Sequence, residues 1–128
     1  MFFFESEPRF QNSIACSSRT CERLFRKLKF DVATGTDNIP ARILIFIGPF
    51  IAIPFTRLVQ RMLQEGVWPD EWRDHRLVPL FNCDAYFRAG NYRGIHITTI
   101  LSKIAERLIA HRLAPLLQLH GFGPNQWA

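Results

Sequence analysis

The sequence predicts an α+β fold, mostly helical, with one small antiparallel β-hairpin. Three observations carry that reading. Stretches at 21–30, 54–65 and 99–114 repeat apolar residues at three- and four-residue spacing, the period of a one-sided helix. Two short runs, Arg76-Leu77-Val78-Pro79-Leu80-Phe81 and Tyr92-Arg93-Gly94-Ile95-His96-Ile97, read as strands joined by a loop. Gly, Pro, Asn and Asp gather at the joints between these pieces.

The elements follow in order. Residues 1–20 show no clear period and form a poorly defined N-terminal segment, while 21–128 form the folded part. The helix predicted over 21–30 places Leu24 and Leu28 on its buried face, with Arg23, Arg26 and Lys27 elsewhere. The run Ala33-Thr34-Gly35-Thr36-Asp37-Asn38 is turn chemistry. Pro40 suits the first turn of a helix running to Ile47 and breaking at Gly48-Pro49. A separate helix is expected over 54–65, with Leu58, Val59, Met62 and Leu63 inward, Arg57, Gln60, Arg61 and Gln64 wet, and Gly66 as its stop. Trp68-Pro69-Asp70-Glu71-Trp72 reads as a turn with one turn of helix.

Pro79 places the first strand at an edge or a bulge. After the second strand, Thr98 or Thr99 caps a helix. Its buried stripe is Leu101, Ile104, Ala105, Leu108 and Ile109; Ser102, Lys103, Glu106 and Arg107 face water. Pro115 is expected to kink or end it near Ala114, and Gly121 and Gly123-Pro124 close the segment.

The chain has 128 residues, 48% of them hydrophobic, enough apolar material for one core. Charged residues at 21% argue against disorder. Lys and Arg number 16 against 11 Asp and Glu, a net charge of +5 that favours a polyanionic partner. Only Lys27, Lys29 and Lys103 are lysines; the Arg bias suits bidentate phosphate contacts and equally suits GC-rich coding sequence. The three cysteines, Cys16, Cys21 and Cys83, form no CxxC pair, which argues against a disulfide framework or zinc site and fits a reducing, intracellular setting, nuclear or cytoplasmic. The start, Met1-Phe2-Phe3-Phe4-Glu5, lacks the basic region of a secretion signal. The apolar run at 43–55 falls short of the ~20 residues that span a bilayer. Gly48, Pro49 and Pro54 interrupt it, so it reads as buried core with no membrane partner.

Catalytic chemistry finds little footing. Asp70, Glu71 and Asp74 are the only acidic cluster; Asp70 and Asp74 on one helical face would make a metal pair, whereas the plainer reading is favourable charge at a helix N-terminus. His75, His96, His111 and His120 are scattered, Ser102 and Cys83 lack nucleophile contexts, and no phosphate-binding glycine loop exists. Catalytic and metal-ligating residues are therefore assigned to none. The basic residues are more informative. Arg23, Arg26, Lys27 and Lys29 crowd one short helix, Arg88 and Arg93 bracket the hairpin loop, and Lys103 and Arg107 lie four apart on the next helix. Tyr92 beside Arg93 offers a ring next to a guanidinium, a pairing that grips phosphates and stacks bases. The competing reading is a solvated face with Tyr92 packed inward, or Arg93 paired with Asp84.

From Arg26 onward these pieces resemble, in order, the amino-terminal half of reverse transcriptases from non-LTR (LINE-type) retrotransposons. The turn at 33–41 is similar to the family's Gly-Pro-Asp-Gly-Ile-Pro-Ala segment, with Thr36 and Asn38 in place of its Pro and Gly. Glu65-Gly66-Val67-Trp68-Pro69-Asp70-Glu71-Trp72 resembles its Gly-x-x-Pro-x-x-Trp turn. Leu77-Val78-Pro79-Leu80 and Asn91-Tyr92-Arg93-Gly94-Ile95 resemble its two fingers strands, although Phe81-Asn82-Cys83 stands where the family continues into Lys. The helix at 101–109 and the run Gly123-Pro124-Asn125-Gln126-Trp127-Ala128 resemble the next blocks.

The resemblance implies a partial fingers subdomain of a right-hand polymerase. Its partners would be an RNA template, a DNA primer, a dNTP and a palm domain. The palm would hold Mg2+ on carboxylates that this sequence does not reach, so no cofactor is expected in this chain and the fragment would be inactive alone. Arg93 is then the nucleotide-binding cation, with Asp37, Tyr92, Lys103 and Arg107 as nucleic-acid-binding residues. The alternative is a non-catalytic nucleic-acid-binding module derived from the same element, and a third possibility is a purely structural helical protein.

Overall fold

A computed structural model describes residues 15–120, without the side chain of His120. The order is helix α1 (Ser18–Arg26), helix α2 (Ala41–Glu65), short helix α3 (Asp70–Arg73), strand β1 (Arg76–Phe81), a 3-10 turn at Ala89–Asn91, strand β2 (Tyr92–Ile97) and helix α4 (Ile100–His120). The fold is mostly helical with a two-stranded antiparallel hairpin, an α+β arrangement. The expected close at Gly121 and Gly123-Pro124, and residues 1–14, lie outside the described part.

Helix α1 begins three residues earlier than the periodicity predicts and stops at Arg26, where Lys27 caps it by donating to the Arg23 carbonyl. Its buried pair is Cys21 and Phe25, both fully enclosed, while Leu24 and Leu28 only flank the core. Cys21 and Phe25 are four apart, so they form a helical stripe as regular as the one expected from Leu24 and Leu28.

The largest departure is α2. The sequence predicts a break at Gly48-Pro49 and a second helix from Pro54, but one helix runs through both prolines. Ala41, Leu44, Gly48, Ala52, Phe55, Val59 and Met62 are buried along it in unbroken three- and four-residue steps. Packing of that face outweighs two lost N–H donors, those that would have reached the Ile45 and Phe50 carbonyls. Both proline rings stand on the exposed side, where water can satisfy what they leave open. Pro115 is carried through α4 in the same way, also exposed, so that helix does not end near Ala114. Leu58 is exposed, contrary to the expected stripe, and Val59 and Met62 hold the inward positions. Gly66 ends α2 as expected, in the left-handed conformation at φ 65°.

The core lies between α1, α2 and the first half of α4. Phe25 meets Phe55 edge to face at 5.6 Å, Phe55 meets Trp72 at 6.0 Å, and Trp72 meets Trp68 at 5.4 Å. Ile100, Ile104, Ala105 and Leu108 close it from α4. Ser102 belongs to this inner face too, fully buried, where the sequence places it in water. Leu101 and Ile109 sit at the margin. Two backbone approaches set the spacing. A Cβ on Gly48 would stand 2.6 Å from Phe25 Cβ, and one on Gly35 would stand 2.5 Å from Thr99 Cα. The first lets α1 lie close on α2; the second presses the 33–38 turn onto the start of α4.

Gly48→Ala is therefore expected to lower stability by about 1–3 kcal/mol, as overpacking does. Pro54→Ala, on the exposed face, restores a helical N–H and is expected to raise stability by up to ~3 kcal/mol. Thermal melts followed by circular dichroism check both, and a fall in melting temperature for Pro54→Ala would mean that α2 is not one helix in solution.

Candidate nucleic-acid interface

The hairpin positions Arg93. Strands β1 and β2 pair antiparallel with Arg76 opposite Ile97, Val78 opposite Ile95, Leu80 opposite Arg93 and Phe81 opposite Tyr92. Because side chains alternate, Arg76, Val78, Leu80, Arg93, Ile95 and Ile97 share one face, while Leu77, Pro79, Phe81, Tyr92, Gly94 and His96 share the other. Arg93 and Tyr92 thus point to opposite sides and do not form one grip. Arg93 is exposed and makes no ion pair with a described residue; Asp84 in particular is not its partner. The sequence reading passed over Arg76. The register puts it on the Arg93 face, ~13 Å away along the strand, with the apolar side chains of Val78 and Ile95 between. The signal was available in the alternation, once the hairpin pairing is taken as antiparallel.

Tyr92 serves the hairpin's own loop. Its hydroxyl donates to the Tyr86 carbonyl at 2.9 Å, and its ring meets Phe81 edge on at 5.5 Å. Phe81 in turn stacks on Tyr86 at 4.1 Å. Asn91 Nδ2 donates to the Ala85 carbonyl at 2.9 Å, Asn82 N–H to the Asn91 carbonyl at 2.9 Å, and Asp84 takes a positive φ of 79°. These contacts give residues 82–91 a defined course without burying them in the core.

Asp37 is exposed and works locally: its Oδ1 accepts from the Ile39 N–H at 3.3 Å, forming the turn that leads into α2. The Gly35 approach to Thr98 and Thr99 sets this turn against the junction of β2 and α4. Thr99 is the cap, its Oγ1 accepting from the Ser102 N–H at 3.2 Å. Lys103 then lies half-buried and Arg107 exposed one turn later on the same face of α4. On α1, Arg23 and Arg26 are exposed, Arg26 paired with Glu22 at 2.7 Å, and Lys27 and Lys29 follow the helix end.

The acidic cluster does not assemble. Helix α3 ends at Arg73, so Asp74 has extended backbone and shares no helical face with Asp70, whose carboxylate pairs with Arg73 at 3.3 Å. Among the described residues no three His, Cys, Asp or Glu side chains come together as a metal site would need. Cys21 is enclosed, and burial pushes its thiol above the ordinary range, so it is a poor nucleophile. The same desolvation raises Cys16, against a smaller opposing pull from Arg112. No protein-family model matches this chain, and no curated protein matches it.

Tyr92→Phe removes one hydrogen bond and leaves the ring in place. Faster amide exchange in the hairpin, by about 0.5–1.5 kcal/mol of local stability, is the expected result. Unchanged exchange would mean that the bond from Tyr92 to the Tyr86 carbonyl does not hold the loop.

Proposed function

We propose that this chain is a nucleic-acid-binding fingers element of the non-LTR reverse transcriptase type, contributing template and dNTP contacts and carrying no polymerase chemistry by itself. The observation that carries the reading is Arg93: an exposed guanidinium with no carboxylate partner among the described residues, on a hairpin that runs directly into α4 with Lys103 and Arg107. Support comes also from the order of the pieces, which follows the resemblance, and from the face that Arg93 shares with Arg76 across an apolar strip. Two cations flanking an apolar surface suit a single strand, with phosphates on the guanidiniums and base faces between them. In this reading Arg93 takes the triphosphate of an incoming nucleotide and Asp37, Lys103 and Arg107 lie along the strand. A non-catalytic module derived from the same element would bind through the same residues and differ only in what it is attached to.

Binding to single-stranded RNA, measured by fluorescence anisotropy over a range of salt, tests it. Arg93→Ala should weaken binding to all sequences alike and lower the salt slope by about 0.7, the value for one phosphate contact on a single strand, with the circular dichroism unchanged. Affinity and slope that do not respond to Arg93→Ala would remove the reading.

A further inference from the structure

Helix α2 has two apolar faces. The inner one forms the core. The outer one is a second stripe of large side chains left in solvent: Ile43 is 50% exposed, Phe46 77%, Phe50 78% and Ile53 56%. At ~100° per residue these four fall on one side of the helix, turned about half a circle from Leu44, Gly48, Ala52 and Phe55. The stripe is also a palindrome. Read from either end it is Ile, two residues, Phe, three residues, Phe, two residues, Ile, centred on Gly48.

We propose that this stripe is the interface of a homodimer, in which α2 of one protomer lies antiparallel on α2 of its partner about a two-fold axis at Gly48. A two-fold contact must be self-complementary, each residue meeting the one that mirrors it across the axis. The palindrome satisfies that demand with like residues: Ile43 falls on the partner's Ile53 and Phe46 on the partner's Phe50. A second copy is thus matched residue for residue. The area is adequate. The four side chains offer on the order of 500 Å² per protomer, and the flanking Pro49, Pro54 and Leu58 bring this toward the ~800 Å² per partner of a stable interface. Charge closes the ends. Arg57 continues the stripe one turn beyond Ile53 and is exposed, with no ion pair to a described residue. The same axis carries it toward the partner's turn at 37–39, where the Asp37 carboxylate is exposed. The proposal uses neither Arg93 nor the hairpin and shares only Asp37 with the nucleic-acid reading, so the two stand or fall separately.

Sedimentation equilibrium of the full chain should show a dimer. Phe50→Glu, a change in solvent that leaves the core untouched, should abolish it while the circular dichroism and the cooperative melt persist. Orientation is tested in a Cys16→Ser, Cys83→Ser background, because Cys16 lies beside Ile53. Oxidation of an equimolar mixture of Ile43→Cys and Ile53→Cys chains should give a cross-linked pair, and Ile43→Cys alone should not, because the axis keeps its two copies apart. A wild-type monomer, a dimer that survives Phe50→Glu, or cross-linking of Ile43→Cys with itself would each overturn the proposal. So would flotation of the wild-type chain with phosphatidylcholine vesicles that Phe50→Glu removes, which would make the stripe a lipid contact.

Discussion

The rest of the fold depends on the seat of Phe25 over Gly48. With no Cβ at 48, the backbone of α2 can approach the Phe25 side chain to within ordinary contact, and α1 lies flat along α2. From that seat an aromatic chain runs outward: Phe25 to Phe55, Phe55 to Trp72, Trp72 to Trp68. Each ring is held by the one before it, so the position of α3, and with it the entry to β1, follows from a contact two helices away. The Cys16 N–H reinforces the same pairing by donating to Gln60 Oε1 at 2.9 Å. On the other side Gly35 does for α4 what Gly48 does for α1, allowing the 33–38 turn to meet Thr99.

That seat also explains why α2 survives its prolines. A helix interior loses ~3 kcal/mol for each proline relative to alanine. Breaking the helix at Gly48-Pro49 would cost more, because Leu44 and Ala41 lie before the break and Ala52, Phe55 and Val59 after it, all in one core. Continuity has its own consequence. By length and composition α2 is long and apolar enough to cross a membrane, so the interruption by Gly48, Pro49 and Pro54 no longer argues against a span. Its inner face is committed to α1 and α4 and includes Thr56, buried with its hydroxyl donating to the Ala52 carbonyl at 2.7 Å.

Local rules were legible wherever one residue decides the outcome by itself. Gly66 stops α2, Thr99 caps α4, Asp37 closes its turn, and the two strands pair as a hairpin because their flanks permit nothing else so short. The failures share a cause. Pro49, Pro54 and Pro115 were read by their local effect, when the period of Leu44, Gly48, Ala52, Phe55 and Val59 already crossed two of them without a phase change. Ser102 was misplaced and Cys21 passed over because a small side chain carries little hydrophobic signal, and only close packing of helices puts it inside. Of the candidate interface, Arg93 was visible as a cation on a strand. The separation of Tyr92 from it follows from strand alternation; the bond from Tyr92 to the Tyr86 carbonyl depends on a loop course that no pattern in residues 82–91 announces.

The hairpin stands outside the buried cluster of the described residues, and its construction bears on what Arg93 can do. None of its residues joins the buried cluster, and a two-stranded hairpin is marginal by itself in water. Order is supplied at both ends instead. At the base, Thr98 and Thr99 are held by the Gly35 approach, and Thr99 caps α4. At the tip, the Phe81, Tyr86 and Tyr92 rings clamp the loop to the closing pair. Arg93 is the next residue inward from that clamp, so its backbone is fixed by aromatic contacts while its side chain stays in solvent. In the nucleic-acid reading proposed above, this mounting presents the guanidinium from a backbone held in place, which a free loop would not do.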